Sequence, residues 1–210
     1  LASKGERDEA MLQLESYLSS MTEVIAINRA THNDVTRRRM NHLIKILGDG
    51  GYLDHCNEVL ALMKIYKLKP SVATYSSLIS RAGIWQNIKL AESYFREMKR
   101  QGINPDVQAY NALINAYAKS GQTDLAVDKL KEMEAGDIEP PVITFNTLVD
   151  SCARSGNVEK ALSFIEDMKA RQLTPNERTY SIVMHAYHHA GKVKEVANIF
   201  RKMINEGLSP

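Results

Sequence analysis

Residues 142–176 run through the apolar and polar spacing of an α-helix twice, on either side of a short polar break. Phe145, Leu148, Val149 and Cys152 fall at i, i+3, i+4 and i+7, which places them on one helical face. Ser155-Gly156-Asn157 interrupts that face with turn chemistry. Val158, Ala161, Leu162, Ile165 and Met168 then resume the helical period, and Arg171-Gln172-Leu173-Thr174-Pro175 closes it, because proline cannot continue a helix. The predicted unit is a helical hairpin. A hairpin of this size cannot bury both apolar faces alone, so its neighbours should repeat it. Prolines stand at 70, 105, 140, 175 and 210, and methionines at 63, 98, 133, 168 and 203, every step being 35 residues. Met40, Tyr75, Tyr110, Phe145 and Tyr180 form a third ladder, and Leu43, Leu78, Leu113, Leu148 and Val183 a fourth. Ladders in phase without insertions predict an all-α solenoid of five repeats: 37–71, 72–106, 107–141, 142–176 and 177–210.

Residues 1–36 do not fit the repeat. Met11, Leu12, Leu14, Tyr17, Leu18, Met21, Val24 and Ile25 recur at helical spacing in a polar background, predicting one amphipathic helix from about 8 to 29. It is expected to be an N-terminal capping helix covering the first repeat, followed by a polar linker over 31–36. The chain opens at Leu1 rather than Met and stops one residue short of a full fifth repeat. Both ends are therefore expected to be processing boundaries, with a targeting segment missing.

Tyr110-Asn111-Ala112-Leu113-Ile114 and Phe145-Asn146-Thr147-Leu148-Val149 resemble the T-Y-N-T-L-I opening of the pentatricopeptide repeat, the 35-residue relative of the tetratricopeptide. Lys119-Ser120-Gly121 and Arg154-Ser155-Gly156 are similar to that family's basic-small-Gly turn. Phe95-Arg96-Glu97-Met98 and Gly102-Ile103-Asn104-Pro105-Asp106 resemble its closing motifs. The tetratricopeptide W-x2-L-G-x2-Y signature is absent. The resemblance covers residues 37–210 and is to the pure P-type class; it implies a right-handed superhelix.

It also implies a site. In the family, a base of single-stranded RNA is read by the fifth residue of a repeat together with its last. The fifth residues here are Asn41, Ser76, Asn111, Asn146 and Ser181, and the last are Ser71, Asp106, Pro141 and Asn176. Carried over, the family's pairing implies C for Asn41/Ser71, G for Ser76/Asp106 and a pyrimidine for Asn146/Asn176, with no standard meaning for Asn111/Pro141. Amides and hydroxyls have the donors and acceptors that a Watson–Crick edge requires. Ser71, Asp106 and Asn176 also follow a proline and precede a helix, where N-caps belong, so capping alone would explain them. The recurring Asn or Ser at the fifth position has no such role one turn inside a helix, where propensity disfavours it. It is the strongest residue-level sign of a groove function.

Second residues of the family's repeats are aliphatic wedges between bases. Here they are Arg38, Ala73, Gln108, Ile143 and Arg178, and only Ile143 conforms; Arg38 and Arg178 are left as wedge-position or backbone contacts. Lys119, Arg154 and His189 share the basic turn position, which resembles a phosphate contact, while Asp49 and Ile84 break that row. Stacking is worth roughly 1–3 kcal/mol per base, so losing wedges predicts weak binding with limited selectivity.

Charge and composition refine this only slightly. The net charge is +2, so any affinity for nucleic acid must come from local placement of charge. Arg37-Arg38-Arg39 is the densest positive run; it is either a solvated face or a phosphate-attracting groove entrance, and it is short for a nuclear-localisation signal. Cys56 and Cys152 sit on the apolar faces of different repeats, the pattern of buried thiols rather than a disulfide. Trp85, in the irregular turn of the second repeat, is expected to pack between neighbouring hairpins. His185, His188 and His189 have i, i+3, i+4 spacing but no carboxylate or thiolate nearby, so no metal is expected. No cofactor is expected either, because C-x-x-C, H-x-E, H-E-x-x-H and Gly-rich phosphate motifs are all absent. No apolar run approaches a membrane span.

The expected activity is binding, not catalysis. The resemblance extends to short plant-organelle members required for chloroplast group II intron splicing. It implies intron RNA and other splicing factors as partners, the chloroplast stroma as location, and a mitochondrion as the alternative. RNA stabilisation or translation, a protein-interaction scaffold and a homodimer also stay open at this point.

Overall fold

A computed structural model of the chain describes residues 33–209, together with Ser16 and Ser19. The amphipathic capping helix expected over 8–29 lies outside the described residues apart from those two serines. The described residues form ten α-helices: α1 (Asn33–Asp49), α2 (Leu53–Ile65), α3 (Val72–Ile84), α4 (Ile88–Arg100), α5 (Val107–Lys119), α6 (Thr123–Ala135), α7 (Val142–Arg154), α8 (Val158–Ala170), α9 (Glu177–His189) and α10 (Val193–Asn205). The chain is an all-α helical-repeat solenoid. It divides into two compact units, one up to Ser71 and one from Val72 onward.

In the first unit α1 packs on α2. Met40, Leu43, Ile44 and Leu47 of α1 meet Cys56, Val59, Leu60 and Met63 of α2, all buried. The Cys56 thiol donates to the Ile44 carbonyl at 3.6 Å, which satisfies a buried polar hydrogen.

In the second unit each odd-numbered helix packs on its hairpin partner and on the next odd-numbered helix, giving the stack α3–α5–α7–α9. The ladders explain this order. Tyr75, Leu78, Tyr110, Leu113, Phe145, Leu148, Tyr180 and Val183 are buried inside the odd-numbered helices. Met98, Met133, Met168 and Met203 close the cores from the even-numbered ones. Burying one such side chain contributes about 1.5–3 kcal/mol. Cys152 is a free, buried thiol, and burial raises its pKa.

Local chemistry sets the helix ends. Asp106 accepts from the Ala109 amide at 2.9 Å, Asn157 from Lys160 at 3.0 Å and Asn87 from Leu90 at 3.2 Å. Asn176 and Thr179 form a reciprocal capping box at the start of α9. Within the second unit, hairpin turns reverse through Gly121, Gly156 and Gly191 at φ +73°, +77° and +70°. The second repeat places Gln86 there at φ +56°, where a side chain is disfavoured. Gly83, near the end of α3, serves another purpose. A Cβ built on it would lie 2.7 Å from the Ala116 Cβ, so α3 and α5 approach more closely than any larger residue permits. Trp85 is 50 % exposed in that turn rather than enclosed between hairpins.

Ion pairs bridge successive even-numbered helices. Lys99 meets Glu132 at 2.9 Å, Lys160 meets Asp124 at 2.8 Å and Lys202 meets Glu166 at 2.8 Å. Exposed pairs of this kind are worth about 0–1 kcal/mol each. They fix spacing more than stability, and they leave the opposite, odd-helix face to line the site.

Candidate nucleic-acid interface

The exposed sides of α3, α5, α7 and the start of α9 enclose a groove of about 890 Å³. Its walls bring together Ser76, Asn111, Asn146 and Asn176 with Ile143, Arg178, Lys119 and Arg154. Residues one stacked repeat apart thus recur along a single trough, as the 35-residue period predicts. A second cavity of about 730 Å³ shares Asp150, Arg154 and Arg178 with the first and adds Ser181, His185 and His189. Asp106 is not part of either lining; it is exposed and occupied in capping α5. In the first unit, Arg38 and Asn41 lie three residues apart on α1, hence on one face, and Ser71 ends that unit just ahead of α3.

The polar floor is held from within. Asn146 is only 6 % exposed. Its Oδ1 accepts from the Thr179 hydroxyl at 2.7 Å, and its Nδ2 faces the Asn176 Oδ1 at 3.4 Å. The Thr144 hydroxyl donates to the Asn111 Oδ1 in the same way. Ser76 instead turns its hydroxyl to the Val72 carbonyl at 2.9 Å, the i−4 back-bond open to a helical serine. The fifth-position Asn, which the sequence left without a capping role, thus has a different structural one. At least Asn111 and Asn146 tie one repeat to the next. The threonines responsible, one repeat period apart, were missed, and their own ladder was the available signal: Thr74, Ala109, Thr144 and Thr179.

Charge and apolar surface are distributed along the trough. Ile143 is 65 % exposed, an aliphatic side chain projecting into a polar groove. Arg81, Lys119, Arg154 and Arg178 face one acid, Asp150. Arg154 is engaged on both sides: its Nε donates to Asp150 at 3.0 Å, and a terminal nitrogen donates to the Ala118 carbonyl of the preceding helix at 3.1 Å. The guanidinium thereby adds a bond to a carbonyl at the end of α5 that also accepts the Gly121 N–H, and it stays at the groove edge. Lys119 is exposed and carries no such tether. A further polar row, Ser80, Asn115 and Asp150, lies one turn beyond the fifth-position residues and was not singled out from sequence.

His185 and His189 stand with ring centroids 6.5 Å apart, and His188 is 5.8 Å from His189. Among the described residues no group of three or more His, Cys, Asp or Glu is placed to hold a metal ion, and no helix is long and apolar enough to cross a membrane.

Stacked hairpins with a periodic polar trough define a helical-repeat protein. Models of the pentatricopeptide repeat domain match residues 38–83 and 93–154, of the PPR repeat family residues 140–189, and of the PPR repeat residues 73–103 and 178–208. The chain belongs to the pentatricopeptide repeat family. Among solved structures it is similar to the pentatricopeptide repeat protein PPR10 from maize, at 31 % identity and TM-score 0.68, over 81 % of this chain and 24 % of that one. PPR10 in complex with an 18-nucleotide psaJ RNA element matches at 22 % identity and TM-score 0.68, over 100 % of this chain and 33 % of that one. The PPR domain of Arabidopsis thaliana protein-only RNase P 1, solved in complex with tRNA, matches at 13 % identity and TM-score 0.67, over 80 % and 89 %. This chain thus spans a quarter to a third of the PPR10 chains it resembles. No curated protein matches it.

Proposed function

We propose that the chain is a binding module for single-stranded RNA that carries out no chemistry of its own. The observation that carries this reading is the alignment of Ser76, Asn111, Asn146 and Asn176 along one trough, with exposed Ile143 and the cations Lys119 and Arg178 among its walls. Splayed bases can be read one per helical repeat by two or three side chains, which demands this periodic placement. A duplex presents no free Watson–Crick edges to such a floor. The RNA-bound state of PPR10 and the tRNA-bound domain of the protein-only RNase P support the reading by similarity of fold. With only Ile143 as an aliphatic wedge, binding is weak and its selectivity limited.

The finer role we propose is that of a chloroplast group II intron splicing factor, holding an intron segment single-stranded in the stroma. Its support is the resemblance of these P-type repeats to short plant-organelle members with that role. RNA stabilisation or translation, in plastid or mitochondrion, uses the same trough and is the alternative. Crosslinking the protein to RNA in organelle extract and sequencing the bound fragments tests the assignment: intron sequence supports splicing, and untranslated leader sequence overturns it. A protein-interaction scaffold is the second reading, favoured by half-exposed Trp85. A partner protein retained by Asn111→Ala/Asn146→Ala and lost by Trp85→Ala supports that reading.

A further inference from the structure

We propose that Thr144 and Thr179, the third residues of the fourth and fifth repeats, are positioning residues that set how the preceding repeat presents its Asn amide to a base. The inference rests on the RNA-binding reading above. Each threonine hydroxyl is buried and bonds backward to the fifth residue of the repeat before it, Thr144 to Asn111 and Thr179 to Asn146. At Thr179 the oxygen accepts the Asn176 backbone N–H at 3.1 Å, and its own hydrogen has two acceptors in reach, the Asn146 Oδ1 at 2.7 Å and the Asn176 Oδ1 at 3.0 Å, the shorter contact being the one to Asn146.

A carboxamide has a donor end and an acceptor end, and a free one can rotate to offer either. With Oδ1 turned toward a buried threonine, Asn111 and Asn146 direct their Nδ2 end toward the groove, although each Oδ1 keeps a second lone pair. That favours base edges with an acceptor opposite over those with a donor there. The second repeat is the internal control. Its successor has Ala109 at the third position, no hydroxyl reaches back, and Ser76 turns away to the Val72 carbonyl at 2.9 Å. Base reading in one repeat therefore depends on a residue of the next, and repeats cannot be exchanged as independent units without carrying that residue along.

Thr144 gives the cleaner test, since Thr179 also caps α9, whereas the residue before α7 is Pro141, which has no N–H to lose. The experiment measures affinities of the full chain for short single-stranded RNAs that carry each of the four bases in turn at every position. The nucleotide whose preference disappears in Asn111→Ala is assigned to the third repeat. Thr144→Val keeps the shape of the side chain and removes the hydroxyl. It is expected to shrink the preference at that nucleotide by roughly three- to tenfold, the worth of one hydrogen bond, by weakening the preferred base rather than all four. Thr144→Ser, which restores the hydroxyl, is expected to restore the preference. A uniform loss for all four bases in Thr144→Val marks a merely structural role and overturns the inference. So does an unchanged preference in Thr144→Val beside a lost one in Asn111→Ala, although the RNA reading then stands. If the wild-type chain binds none of the RNAs, the RNA reading fails and the inference fails with it.

Discussion

Replacing Gly83 by alanine sets two opposed effects against each other at a defined contact. Alanine is favoured over glycine in a helix by up to about 1 kcal/mol, an upper bound at Gly83, the next-to-last residue of α3, so propensity alone predicts a gain. The new methyl group, however, would lie 2.7 Å from the Ala116 Cβ and 3.3 Å from its Cα. Carbon atoms rest at about 3.5–4.0 Å, so α3 and α5 must separate by up to about 1 Å. Ala116 is fully buried and its Cβ has no rotamer to yield with. Overpacking of this kind costs about 1–3 kcal/mol, which leaves Gly83→Ala less stable by about 1 kcal/mol. Urea unfolding followed by circular dichroism measures it, with m checked for constancy. Ala116→Gly removes the opposing methyl group and loses about 1 kcal/mol of propensity. The double variant should then recover to near wild type, a coupling of about 2 kcal/mol between residues in contact. Gly83→Ala more stable than wild type by the full propensity difference would refute the close-approach argument.

Gln86→Gly, at φ +56° in the same turn, should raise stability by up to about 1 kcal/mol because a left-handed residue then carries no Cβ penalty; thermal melting reads it, and an unchanged midpoint would mean the turn relaxes at no cost. Asn146→Ala should lower stability by about 1 kcal/mol, because the buried Thr179 hydroxyl loses its shorter bond and keeps only the Asn176 Oδ1 at 3.0 Å; the check is denaturant unfolding without RNA, and no loss would mean that the Asn176 bond suffices. Burial raises the pKa of Glu132, but hydrogen bonds from Lys129 and Lys99 outweigh that and hold it below the ordinary carboxylate value. Its stabilising contribution is therefore present above the unfolded-state pKa near 4.3 and is lost as pH falls through the lower folded value. Glu132→Gln should accordingly flatten the acid limb of a stability-versus-pH curve, and an unchanged limb would assign acid sensitivity to other carboxylates.

Much of the fold was legible because the sequence repeats it. Each ladder residue carries the same packing role five times, so the period alone placed Phe145, Met168 and Pro175 in one hairpin and set their equivalents beside them. Turn and cap chemistry was local and equally readable at Gly156, Asp106 and Asn176. What escaped was chemistry between repeats. The Thr144–Asn111 bond joins residues 33 apart, and the Arg154–Ala118 bond residues 36 apart. Neither residue type announces its partner, and only stacking decides which side chains meet. Gly83 belongs to the same group, because only the stacking shows how closely α3 and α5 approach there. Trp85 read as a packing residue because indole is large and apolar, but in this turn half of it stays exposed.

The most direct test of the central claim is binding to short single-stranded RNA as salt is raised from low to near-physiological, beside double-stranded RNA and single-stranded DNA of the same sequence. Lys119, Arg154 and Arg178 line the trough, and about three neutralised phosphates give a slope near −2 for log affinity against log salt on single strands. The account predicts preference for single-stranded RNA with that slope. Equal affinity for the duplex, or no binding to the single strand at tens of micromolar protein, would contradict it.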